Sequence, residues 1–139
     1  MADRPEVSGG VIPHLVAALV CEAAVTDPIT HKKTLIGIFD RIFTPGVPFQ
    51  RPVSLYLKLS DGLGNYKLFV EFVRTKTDTR LGEINGKFEM ASRLESVDFL
   101  IETPPLPIPD FGRYDFRVFT NGELLGGAFL DVLHLPKQG

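Results

Sequence analysis

A chain of 139 residues with 44% hydrophobic and 23% charged side chains is long enough to bury one apolar core and has the make-up of an ordinary globular domain. Its formal net charge of −2 supplies no general attraction for nucleic acid or acidic membrane surfaces, so neither is expected as a partner. The single cysteine, Cys21, excludes an internal disulfide and favours a reducing, cytoplasmic setting.

Met1–Gly10 is polar, carries Pro5 and Gly9-Gly10, and reads as a flexible tail ahead of a single domain over residues 11–135. Val11–Val25 is the most apolar window. His14 and Glu22 interrupt it, and Asp3 and Glu6 precede it beside Arg4, which argues against a cleaved leader or a membrane helix. His14–Ala24 is expected to form a strand buried on both faces, bounded by Pro13 and Asp27-Pro28. After a polar turn with His31-Lys32-Lys33, the run Thr34–Phe43 is apolar on both faces and predicts a central strand, with Asp40 and Arg41 at its wet end. Prolines at 45, 48 and 52 forbid helix and central-strand pairing there.

Val53, Leu55, Leu57 and Leu59 alternate with Ser54, Tyr56, Lys58 and Ser60, and after the loop Asp61–Asn65 Tyr66, Leu68, Val70 and Phe72 alternate with Lys67, Phe69, Glu71 and Val73; the two runs predict an antiparallel strand pair. Arg74–Gly86 is charged and reads as a long solvated loop or a protruding hairpin arm, with a turn candidate at Asn85-Gly86, followed by a short strand over Lys87–Ala91. Val97–Glu102 alternates again. Pro104, Pro105, Pro107 and Pro109 then predict an extended crossover without ladder hydrogen bonds.

The stretch from Pro109 to Leu133 predicts a β-hairpin. Tyr114, Phe116 and Val118 face the core, and Asn121-Gly122 suits a two-residue type I′ turn. Gly126-Gly127 marks a bulge or a close backbone approach in the return strand. Asp110-Phe111-Gly112-Arg113-Tyr114 matches a tyrosine corner, in which the phenol bonds back to upstream backbone. About eight strands and no helix predict an all-β fold: a two-sheet antiparallel β-sandwich, Greek-key or immunoglobulin-like, with a closed β-barrel as the alternative.

Four segments carry a family resemblance: PHLVAALVCEAAVTD, LIGIFDRIF, SLYLKLSDGLGNYKL and PDFGRYDFRVFTNGELLGG. Together they resemble an uncharacterised bacterial family known only as a domain of unknown function, over roughly residues 11–133. The resemblance implies one domain with this fold and no activity, cofactor or catalytic residue.

The candidate sites are few. His14, His31 and His134 have no metal-ligand spacing, so no metal or other cofactor is expected. His14 and His134 with nearby carboxylates give the weakest reading, an enzyme. Cys21 lies in an apolar run, unlike a reactive thiol. Tyr56 and Tyr66 beside Asp61 and Asn65 suggest a small-ligand or carbohydrate platform. The preferred reading is a non-enzymatic module that binds a protein partner or itself. Its expected surface is Phe69, Val73, Leu100 and Phe119, apolar residues at positions that alternation turns outward.

Overall fold

Every segment in which apolar residues alternate with polar ones is a strand, and no helix forms among residues 10–136, the part of the chain described by this computed structural model. The expected tail, apart from Gly10, lies outside the described residues. The strands are β1 (His14–Thr26), β2 (Lys33–Ile38), β3 (Arg41–Thr44), β4 (Phe49–Arg51), β5 (Ser54–Ser60), β6 (Gly64–Arg74), β7 (Thr79–Met90), β8 (Val97–Glu102), β9 (Leu106–Ile108), β10 (Gly112–Thr120) and β11 (Glu123–His134). A four-stranded sheet has the order β2-β1-β5-β8 and a five-stranded sheet the order β3-β11-β10-β6-β7, while β4 and β9 form a ribbon of their own. None of these sheets closes on itself, so the fold is a sandwich and not the alternative barrel. All pairs are antiparallel except β3 with β11, which run parallel.

The two larger sheets meet across one apolar cluster. Val20, Leu55, Leu57 and Leu59 come from the first sheet and Leu68, Val70, Phe72, Phe116, Val118 and Leu130 from the second. Period-two alternation places each set on one face of its sheet, and burying both faces together supplies the main driving force. Phe72 stacks on Tyr114 at 5.3 Å and contacts Phe116 at 4.9 Å, close spacings that add to the area term.

The predicted tyrosine corner forms. The Tyr114 hydroxyl donates to the Asp110 carbonyl at 2.7 Å, and the Asp110 N–H donates back to the phenol oxygen at 3.1 Å. Asn121 and Gly122 both have positive φ, 46° and 84°, as a type I′ turn requires. Gly127 marks the predicted close approach: a Cβ there would collide with the Phe116 carbonyl.

Four expectations need correction. Thr34–Phe43 is not one central strand. It breaks at Phe39-Asp40 into β2, an edge of the first sheet, and β3, an edge of the second. The break stitches the sheets together, because the Phe39 N–H donates to the Val20 carbonyl at 2.9 Å and the Asp131 N–H to the Asp40 carbonyl at 2.8 Å. Arg74–Gly86 is no loop. Most of it belongs to the 12-residue strand β7, with Asn85-Gly86 in mid-strand. The proline crossover is not free of ladder bonds, since β9 within it pairs with β4; both are three-residue strands, short enough to accommodate Pro107. Among the described residues the strands therefore number eleven, not about eight.

Candidate functional site

The first hairpin is the most exposed apolar element of the described chain. β1 pairs with β5 through its first half, from His14 to Cys21, and with β2 through its second half, from Cys21 to Thr26. The second half and β2 thus form a two-stranded arm. Lys33 at the arm's end and Asp98 on β8 belong to strands at opposite edges of the sheet. Even so, Lys33 Nζ lies 2.7 Å from Asp98 Oδ1. A flat sheet would hold them far apart, so the arm is twisted enough for the Lys33 side chain to reach Asp98 on β8, as strongly twisted two-stranded ribbons allow.

Asp98 is the clasp. Its second oxygen accepts the Tyr56 hydroxyl at 2.9 Å. Burial pushes the Asp98 carboxyl up, but the bonds from Lys33 and Tyr56 and the charges of Lys33 and Lys58 outweigh it and hold the group below its ordinary range. Burial, with the bond to Asp98 and its charge, pushes the Tyr56 phenol up to about 12. Beside the clasp, Ser54 donates to Glu102 at 2.8 Å. Cys21, paired with Ser54 in register, is buried, and burial followed by the charge of Glu102 raises its thiol pKa. This is the setting of an inert thiol.

Cross-strand partners share a face, so Ala23 with Ile36, Cys21 with Ile38 and Val25 with Thr34 line one side of the arm. Along that side Val25 is 56% exposed, Ile36 50% and Ile38 57%. Ala24, Lys33 and Leu35, on the other side, are half-buried. β2 is also a sheet edge, and Thr34–Ile38 contains no charge and no proline. The edges at β8 and β7 are protected in the usual way: β8 carries Asp98 and Glu102, and β7 carries Arg80, Glu83, Lys87 and Glu89, while the β3 edge carries Arg41. In a second apolar area, with Phe43 and Phe129, the Phe129 ring is already partnered. The Arg113 guanidinium lies 4.0 Å over the Phe129 ring and bonds Asp131 at 2.7 and 3.0 Å.

The surface expected from alternation is different. Val73 is 1% exposed and Phe119 3%, while Phe69 and Leu100 are half-buried on different sheets. The four side chains therefore do not form one open patch. Val73 is flanked in register by Arg80 and Asp115, and the long aliphatic stem of an arginine covers apolar neighbours. Phe119 packs on Phe69 at 5.8 Å, and Arg80 stacks over Phe69 at 5.3 Å. Between these groups Glu71 is buried, 3.2 Å from Arg80 and 3.8 Å from Arg117, which also bonds Asp78 at 2.7 Å. The outer face of the second sheet is thus closed by its own charge network.

The remaining candidates are not brought together. Leu15 lies against Gly126, and His14 precedes Leu15 while His134 stands eight residues beyond Gly126 on β11, roughly 26 Å of strand. His14 and His134 therefore share no cleft. Tyr66 is buried; its hydroxyl donates to the Val11 carbonyl at 2.5 Å and accepts from the Leu63 N–H at 2.9 Å. No group of three or more His, Cys, Asp or Glu residues suited to a metal occurs among the described residues. No helix among them is long and apolar enough to cross a membrane.

Sequence reasoning missed the arm because Ile36 and Ile38 look like core residues. The usable signal was the set of polar residues Asp27, Lys32 and Lys33, which marks the turn of the hairpin.

Among known proteins, the model of a family of unknown function, DUF6941, matches residues 16–133. No curated protein matches the chain. The match spans most of the sequence, and the chain belongs to this family.

Proposed function

We propose that this member of a family without assigned activity is a non-enzymatic β-sandwich module that acts by protein association, and that it docks through the arm formed by β1 and β2. The observation that supports the reading is the edge of β2, uncharged from Thr34 to Ile38, beside the solvent-facing Val25, Ile36 and Ile38. Such an edge is a template for another strand. The partner it fits is a second copy of the chain. Antiparallel pairing of β2 with itself about a two-fold axis sets Thr34–Ile38 against the same uncharged run and makes one self-complementary contact. The reading takes the sandwich as immunoglobulin-like, supported by the tyrosine corner at Tyr114, and the module as cytoplasmic, supported by the lone free thiol of Cys21.

Light scattering coupled to size exclusion tests this. Wild-type protein is expected to run as a dimer at micromolar concentration, and Ile36→Lys as a folded monomer. A wild-type protein that stays monomeric up to hundreds of micromolar overturns the proposal.

A further inference from the structure

At the edge of the sandwich away from the Phe39-Asp40 stitch, β7 faces the proline crossover across an open cleft of about 130 Å³. Register explains the space. Phe72, Val70, Leu68 and Tyr66 pair with Gly82, Ile84, Gly86 and Phe88, so the inner row of β7 contains two glycines opposite core residues. Neither glycine is needed for backbone reasons. Gly82 and Gly86 lie outside the left-handed region, and a Cβ at either would have nothing within 4 Å. At Gly82 the missing side chain is the cleft.

The lining is apolar, with Val70, Phe72, Leu81, Ile84, Leu106 and Phe116 among its walls. Its charged member, Glu83, is already held by Arg80 at 3.2 Å. The outer wall includes Pro104 and Pro105, which are exposed and have no N–H to anchor them in a ladder. A dry apolar space of roughly 150 Å³ accepts benzene, so the dimensions match one ring.

We infer that the cleft between β7 and Pro104–Pro107 binds a neutral, single-ring apolar molecule, or a branched aliphatic one of equal size, over Gly82. Lining without an unpaired charge excludes an ionised ligand, because no group would replace the water stripped from it. The site is independent of the β2 edge and stands whether or not the chain self-associates.

The test is a titration of the ¹⁵N-labelled protein with toluene, followed by amide chemical shifts, on wild type and on Gly82→Leu, with Gly82→Val as the smaller filling variant. Wild type is expected to shift at Leu81, Gly82 and Ile84, with a thermal midpoint that rises with toluene. Both variants are expected to fold, because their side chains enter open space, and to lose the affinity by tenfold or more. The inference is overturned if wild-type amides at the cleft do not move up to the solubility limit of toluene. It is also overturned if a folded Gly82 variant responds as wild type does.

Discussion

Lys33 and Asp98 come from opposite edge strands of one sheet and yet meet at 2.7 Å. The contact fixes the arm on the domain, and both side chains are mostly shielded from water. Asp98→Asn weakens the bond to Lys33 and leaves Tyr56 a poorer acceptor. The expected cost is about 1 kcal/mol of stability, in the range of a partly shielded pair. The larger effect is local: amide hydrogen exchange over Thr34–Ile38 should accelerate in Asp98→Asn while Leu55–Leu59 stays protected. Equal acceleration in both segments would show that the clasp does not act on the arm.

The pH dependence follows from the same groups. The hydrogen bond from Arg113, outweighing burial, lowers Asp131, and Asp98 is also lowered. A carboxyl whose folded pKa is below its unfolded value, ordinarily about 3.9, stabilises the fold above that value. Its contribution is lost as pH falls through the folded pKa. Stability measured by urea titration should therefore be flat near neutrality and fall below about pH 4. In Asp98→Asn the fall should be shallower.

Tyr56 behaves oppositely at alkaline pH. Its raised folded value, about 12, means that its contribution is complete below the unfolded value near 10 and is lost as pH rises through the folded one. Burial also raises the Tyr114 phenol, so absorbance at the tyrosinate band should show a late-ionising component that shrinks by one tyrosine in Tyr56→Phe.

Tyr114→Phe should cost about 1–3 kcal/mol. It removes the donation to the Asp110 carbonyl and strands the Asp110 N–H, while the ring keeps its place on Phe72. Thermal unfolding of the folded variant checks this, and a shift of less than one degree would mean that water replaces both bonds.

Thr120 offers the reverse case. Its hydroxyl is buried and has no hydrogen-bond partner. Replacing it with the isosteric Val removes an unsatisfied group, and Thr120→Val should leave stability unchanged or raise it by up to about 1 kcal/mol. A clear loss, read by the same unfolding curves, would place a bound water on that oxygen.

The one-sided strands were legible because the core needs their alternation: Leu55, Leu57 and Leu59 and Tyr114, Phe116 and Val118 stand where period two puts them. Asn121-Gly122 was legible because few residues tolerate its backbone. β7 was hidden because glycines occupy two of its inward positions, 82 and 86, while Leu81 falls in the opposite row beside Glu83, Lys87 and Glu89, so no clean apolar period remained. The split of Thr34–Phe43 was hidden because both halves are apolar; β2 shows Ile36 and Ile38 to water while β3 sends Ile42 into the core of the other sheet. Val73 and Phe119 were read as open because alternation gives a side chain's direction and not what its neighbours cover. Lys33 with Asp98 depends on how far the arm twists, which no local pattern encodes.

The Phe39-Asp40 crossing has a mechanical consequence. Along that margin one linker is hydrogen-bonded through its backbone to both sheets, Phe39 to β1 and Asp40 to β11, whereas the opposite margin meets through side chains such as Phe88 on Phe99. The domain is bound like a book, with its spine at residues 39–40 and its fore-edge at β7. Thermal breathing that parts the covers has its smallest amplitude at the spine and its largest over Gly82.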